Sequence, residues 1–378
     1  MTRLLAALLT ALLVALPARA ADEPKAAPPP AGAADKPHID LVICFDCSGS
    51  MGPVIQTAKQ KVWAIVNQTA KAKPTPVLRI GLIGYGNATG PFRFMQLTDD
   101  LDEVYKFLNT FDDRLGGDEF VGLAVHRATA DMQWHDGKQT LKLIYVVGNE
   151  TAHQGPAEFD YTKTAPAAIA KGIIVNAIYC GSYDYEKASP TWREMAKLAD
   201  KRYLEIAETG GVVAIATPFD DDLAKLSTQL NGTYVAYGAA GGAAAANQVA
   251  QDANAAGLGK HVAAERAAAK AAPGVYSNGR WDLVDRSKDK DFDVSKLKPE
   301  ELPEDMRKLA PEQRKAYVDQ KAKEREAIQA QVKELAAKRD AYVRAEQEKK
   351  GITGDKAFDA AVQGTLKEQA EKKGYKFE

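Results

Sequence analysis

His38-Ile39-Asp40-Leu41-Val42-Ile43-Cys44-Phe45-Asp46-Cys47-Ser48-Gly49-Ser50-Met51-Gly52 is the stretch on which the fold turns. Residues 39–45 are almost unbroken apolar sequence. A strand with one wet face would need polar residues at every second position, so this one reads as buried on both faces. Runs of the same kind recur at 78–85, 141–147 and 173–180. Residues 92–97 read as a shorter edge strand and 203–206 as the last strand. Between these runs, apolar residues fall at helical spacing over 54–66, 101–108, 120–132, 166–170, 192–198 and 223–230, and Pro166 suits a first helical position. Strands alternating with helices predict an α/β fold, a doubly wound and mostly parallel sheet covered on both faces. Such sheets bind ligands at the carboxyl ends of their strands.

The rest of the 378-residue chain divides by composition. Residues 1–20 have a basic start, an apolar run and Ala18-Arg19-Ala20, the form of a cleaved signal peptide. The expected compartment is therefore periplasmic or secreted. Residues 21–37 are an Ala/Pro-rich linker, 38–237 the sheet domain, and 238–275 an Ala/Gly-rich linker in which 261–271 could form a helix. Residues 276–378 read as a helical C-terminal region. Pro299, Pro303 and Pro311 each precede acids, as at helix starts, and a charged helix is expected from 311 to about 349. Within it Ile328, Val332, Leu335 and Tyr342 follow a near-heptad rhythm, interrupted by Arg325 and Arg339. That pattern fits a weakly specified coiled coil or a helix packing a narrow stripe on its own chain.

The formal net charge is -1, so no global field favours nucleic acid or an anionic membrane. The three cysteines, Cys44, Cys47 and Cys180, make no disulfide framework. Cys44 and Cys180 lie in strand runs as core residues. A single bridge, Cys47 to Cys180, is the one pairing considered. The Cys-x-x-Cys spacing of Cys44 and Cys47 is incidental, because Cys44 sits inside a buried strand.

Asp46-Cys47-Ser48-Gly49-Ser50 carries the chemistry. It follows the first strand directly, so oxygens at alternate residues can converge above the sheet. Gly49 and Gly52 let the chain turn tightly into the next helix. An oxygen-only donor set suits a hard divalent cation such as Mg²⁺, Mn²⁺ or Ca²⁺. One carboxylate and two hydroxyls leave such an ion open to a further donor.

On these residues the chain resembles the von Willebrand factor type A domains, found in integrin inserted domains and many bacterial proteins. The resemblance covers residues 38–237. It implies a metal-ion-dependent adhesion site built from three loops. Asp46, Ser48 and Ser50 match the first loop, and Gly-Ser-Met is the usual continuation. The second loop usually offers a threonine after a glycine pair. Here Gly116-Gly117 is followed by Asp118, as in a variant branch of the family, so Asp118 is the implied second-loop ligand. The third loop usually offers an aspartate, and Asn149 stands in its place, with Glu150 as a substitute. The implied site thus contains Asp46, Ser48, Ser50, Asp118 and Asn149, with Mg²⁺ the first choice of ion. It implies a protein partner that supplies an acidic residue. Asp118 as a direct ligand would weaken the ion's pull on that acid. The runs 145–150, 174–181 and 281–285 resemble bacterial exported proteins of this type.

Other chemistries fit less well. No Gly-x-Ser-x-Gly elbow, His-Glu-x-x-His or phosphate loop occurs, and the chain is read as a non-enzyme. Gly81 to Gly86 lies in and at the end of a strand, with no following helix to meet a phosphate. His153 could flank the ion but suits a surface loop. Asp220-Asp221-Asp222 suits a helix start. Three functions follow: a metal-dependent adhesion or assembly module, a structural envelope protein binding through its C-terminal helices, or a metal-assisted hydrolase using His153.

Overall fold

The computed structural model describes residues 36–86, 92–181, 185–199, 202–207, 209–211, 214–351 and 357–377. Residues 1–20 and most of 21–37, read above as a leader and a linker, lie outside the described residues. The chain alternates as the sequence predicts, through β1 (His38–Asp46), α1 (Gly52–Ala70), β2 (Ala72–Lys73), β3 (Val77–Tyr85), β4 (Arg93–Thr98), α2 (Leu101–Asn109), α3 (Val121–Asp131), β5 (Thr140–Gly148), α4 (Tyr161–Ala170), β6 (Ile173–Cys180), α5 (Tyr185–Leu198), β7 (Tyr203–Ile206) and α6 (Asp220–Asn231). The main sheet has the order β4-β3-β1-β5-β6-β7. Only the β3–β4 edge pairing is antiparallel; the others are parallel. Its centre is β1, whose residues alternate between two cores. Ile39, Leu41, Ile43 and Phe45 face the core built with α1 and α2, while Val42 and Cys44 face that of α3, α4 and α5. Fully burying each such side chain contributes ~1.5–3 kcal/mol.

Four expectations need correction. Helix α4 begins at Tyr161, because Asp160 caps it through Thr162 N at 2.9 Å; Pro166 therefore lies inside the helix. Residues 238–275 are not a linker. They form α7 (Gly241–Leu258) and α8 (Lys260–Lys270), and α8 lays Val262 and Ala269 into the core beside α1. Little apolar bulk is needed there, because alanines allow close approach and the charged residues are buried in pairs. Arg266 meets Asp102 at 2.8 Å and Asp252 at 2.5 Å, and Lys270 meets Asp252 at 2.8 Å.

The third correction concerns the C-terminal region, which continues through α9 (Leu283–Arg286), α10 (Glu304–Arg307), α11 (Pro311–Lys349), α12 (Phe358–Lys372) and β8 (Lys376–Phe377). It does not stand apart from the sheet domain. β8 pairs with β2, and α12 places Phe358, Val362, Leu366 and Ala370 in the same core as α1. The stripe of α11 is used within the chain. Ile328, Val332 and Leu335 pack on Leu223 and Leu226 of α6 and Ala264 and Ala267 of α8. Val318, Arg325, Val332 and Arg339, seven residues apart, are all buried. The two arginines are anchors rather than interruptions. Arg325 grips Asp282 at 2.6 Å and Asp285 at 3.1 Å; Arg339 grips Asp220 at 2.9 Å. Finally, Cys47 and Cys180 are not bridged: all three cysteines are buried free thiols. Burial pushes the Cys47 thiol up to about 12.

Candidate cation site

The site lies where three parallel strands end. β1 delivers Asp46, fully buried, and its Oδ1 accepts the Ser48 N–H at 2.8 Å, which bends the chain out of the strand. The turn then runs into α1. Ser48 is buried and Ser50 exposed, their hydroxyls 3.2 Å apart. Ser50 donates to Asn149 Oδ1 at 3.2 Å. Asn149, just past β5 and 1% exposed, thus closes a chain of oxygens across the first and third loops. Asp46, Ser48, Ser50 and Asn149 are therefore brought together.

The third loop is held from behind. Trp192 of α5 donates its indole N–H to the Glu150 carbonyl at 2.6 Å, and Thr191 Oγ1 accepts the Ala152 N–H at 2.9 Å. Gly148 leaves room for this packing. A Cβ there would stand 2.6 Å from the Tyr85 hydroxyl, which itself donates to the Val147 carbonyl at 2.8 Å.

The second loop differs from the expectation by one residue. Leu115 N–H donates to the Cys47 carbonyl at 2.9 Å, docking the loop on the first. Gly117 then takes a left-handed φ of 89°, open to glycine at little cost. Beyond that turn Asp118 is exposed, with no hydrogen bond or ion pair among the described residues. The next residue, Glu119, is fully buried and brings its carboxyl against that of Asp46. Its backbone N–H donates to Gln154 Oε1, whose amide donates in turn to Glu150 at 2.8 Å. Sequence reasoning missed Glu119, although its place directly before the apolar pattern of α3 marks it as the residue the helix start carries inward.

Two buried carboxyls facing each other are electrostatically costly. Burial, then the Asp46 carboxyl, pushes Glu119 up to about 10; burial also raises Asp46, against the Glu119 contact and the Ser48 N–H. Asp46 Oδ2 and both Glu119 oxygens are buried without a hydrogen-bond partner. A carboxyl raised to about 10 holds its proton at neutral pH, so the facing pair is satisfied either by a proton shared between Asp46 and Glu119 or by a positive ion in its place. The donor chemistry of carboxylates, hydroxyls and one amide oxygen fits a hard divalent ion. Asp46, Glu119, Ser48, Ser50 and Asn149 are the residues that would hold it. Among the described residues, no group of three or more His, Cys, Asp or Glu side chains is placed to hold a metal ion.

His153 does not belong to the cluster. Its Nδ1 pairs with Asp160 at 2.8 Å and its Nε2 with the Tyr161 hydroxyl at 3.0 Å, on the outer side of the loop. Asp220, first residue of α6, accepts from Thr217 and Arg339, a helix-start and docking role.

The family comparison agrees with this fold. Residues 40–209 match the von Willebrand factor type A domain family. Among solved structures, the BatB protein of Bacteroides thetaiotaomicron is 18% identical, with a TM-score of 0.36, over 45% of this chain and 90% of that one. Proximal thread matrix protein 1 of the mussel byssus, solved with a zinc-occupied adhesion-site motif, is 14% identical with a TM-score of 0.36, over 46% of this chain and 45% of that one. The pilus adhesin SpaC of Lactobacillus rhamnosus is 12% identical with a TM-score of 0.36, over 60% of this chain and 30% of that one. No curated protein matches the chain. Among the described residues, no helix is long and apolar enough to cross a membrane.

Proposed function

We propose that the chain is a non-catalytic, cation-dependent protein-binding module that works in the periplasm or outside the cell, as an adhesion or assembly factor. The observation that carries this reading is the pair of buried, facing carboxyls of Asp46 and Glu119 beside the hydroxyls of Ser48 and Ser50. A divalent ion, Mg²⁺ in the first instance and Mn²⁺ or Ca²⁺ as alternatives, would satisfy those oxygens and offer its remaining coordination to an outside donor. Ser50 is exposed, so the outer edge of the cluster faces solvent and a partner can reach it. The family match over 40–209 supports a binding role at this end of the sheet. The resemblance implies an acidic donor on the partner.

Periplasmic or secreted placement rests on the leader-like residues 1–20. The test of function is capture from a cell-envelope extract by the wild-type chain, by Asp46→Ala, and by wild type with a chelator. The proposal expects one partner set to disappear in both of the latter. Capture unchanged by Asp46→Ala and by the chelator would move the binding role to the helical face and end the cation reading.

A further inference from the structure

We infer that Lys270 and Asn231 join in a covalent amide, an intramolecular isopeptide bond between the last residue of α8 and the last residue of α6, with Asp252 of α7 carrying the protons. The inference stands independently of the cation site.

The groups that such a bond needs are already assembled. Lys270 is fully buried, and its Nζ donates to Asn231 Oδ1 at 2.5 Å. Asp252 Oδ2 accepts from both reactants, from Lys270 Nζ at 2.8 Å and from Asn231 Nδ2 at 2.7 Å. These contacts fix the direction of the Asn231 amide, because its NH₂ must meet the carboxylate and its oxygen the ammonium. The Ser227 hydroxyl, 3.1 Å from Nζ, holds the amine from a further side. Nucleophile, amide carbonyl and proton carrier thus stand in mutual contact, and groups held in this way react as one molecule rather than by encounter.

The electrostatics favour the attacking form. Burial first, and the Arg266 charge with it, brings Lys270 down to about 8, so a free amine is within reach near neutral pH. Burial works against the charge on Asp252, but Arg266 and Lys270 hold its carboxyl below the usual range. Asp252 is therefore an ionised base in contact with the proton to be moved.

The atoms balance without an outside reagent. Asp252 takes one proton from the Lys270 ammonium. The amine attacks Asn231 Cγ, the new C–N bond forms, and the carbonyl electrons move onto Oδ1. Asp252 returns its proton to Nδ2, the C–Nδ2 bond breaks, the carbonyl re-forms, and ammonia leaves. The excess proton on the new amide nitrogen passes through Asp252 to the ammonia, which departs as ammonium. Nothing is oxidised or reduced, and Asp252 ends as it began. The product staples α8 to α6 across 39 residues, behind the surface on which α11 packs. In a chain whose cysteines are all free, it is a crosslink that no thiol reductant opens.

The test is mass spectrometry of the full chain, held above the pH of about 8 at which Lys270 gives up its proton, followed by proteolysis. Wild type is expected to have lost one ammonia and to yield a branched peptide joining residues 231 and 270; Lys270→Arg is expected to show neither. Asp252→Asn, shown to be folded by circular dichroism, is expected to carry at most about a hundredth of the link. Wild type of full mass with no branched peptide overturns the inference and leaves the cluster a buried ion pair. A loss of ammonia that persists in Lys270→Arg overturns it too, since Asn231-Gly232 can also lose ammonia by closing on its own backbone. Asp252→Asn that links as fully as wild type overturns the proton-carrying role of Asp252.

Discussion

Replacing Arg325 by leucine places an apolar residue seven positions before Val332 and completes the heptad stripe of α11. A coiled-coil dimer would gain from that change. The structure predicts the opposite. The Arg325 guanidinium is 3% exposed and holds Asp282 through two contacts, at 2.6 and 3.2 Å, and Asp285 at 3.1 Å. It also donates to the Thr233 carbonyl at 2.8 Å and lies 4.0 Å from the Tyr234 ring centroid. Asp282 is fully buried and in turn receives the Val235 and Asp285 N–H groups at 2.7 and 2.9 Å. Leucine leaves the buried Asp282 carboxylate without its counter-ion, while Asp285 keeps Lys288 at 2.7 Å, and removing one partner of a buried pair costs about 3–5 kcal/mol. The gain from burying leucine, ~1.5–3 kcal/mol at most, does not offset that loss together with the abandoned hydrogen bonds. At roughly 2 °C per kcal/mol for a chain of this size, the net loss lowers the melting temperature by several degrees. Calorimetric melting with sedimentation of the same samples reads both quantities. A variant that melts higher and sediments as a dimer would refute the intramolecular docking of α11.

Further expectations follow from the buried groups. Native protein should show no thiol reactive to a disulfide reagent, and denatured protein three, because Cys44, Cys47 and Cys180 are free and buried; fewer than three after denaturation without reductant would indicate a bridge. Before it is joined to Asn231, Lys270 is pushed down to about 8, chiefly by burial, from its ordinary 10.5. Between those values the unfolded chain holds the proton that the folded chain has released, so this residue makes stability rise with pH from about 8 to 10.5. Denaturant melts of unlinked wild type and Lys270→Met should diverge across that window, with the wild type alone gaining; parallel pH profiles would contradict the burial of this ammonium.

The strands were legible because a parallel sheet buried on both faces leaves no other pattern than continuous apolar sequence. The first loop was legible for a related reason: Asp46, Ser48 and Ser50 are spaced by the backbone itself, two residues apart at a strand end. The second loop was not, because its geometry depends on the left-handed turn at Gly117 and on Gln154, 35 residues away, and these carry Glu119 rather than Asp118 inward. Residues 238–275 escaped for want of large apolar side chains. Their burial uses alanine faces and ion pairs: Arg266 and Lys270 of α8 meet Asp252 of α7, and Arg266 also meets Asp102, which is distant in sequence. In α11, Arg325 and Arg339 looked like breaks in a stripe because charge normally signals solvent. The acids that neutralise them, Asp282 and Asp220, lie on other elements and no periodicity within the helix reveals them.

The central claim is that oxygens from three loops, Asp46 foremost, converge to hold a divalent ion. Titration calorimetry of the metal-stripped chain with Mg²⁺, Mn²⁺ and Ca²⁺ tests it most directly, with Asp46→Ala run alongside. The account predicts saturable heat from a single ion in the wild type and none in the variant. A flat trace with all three ions, or a trace that Asp46→Ala leaves unchanged, would contradict it.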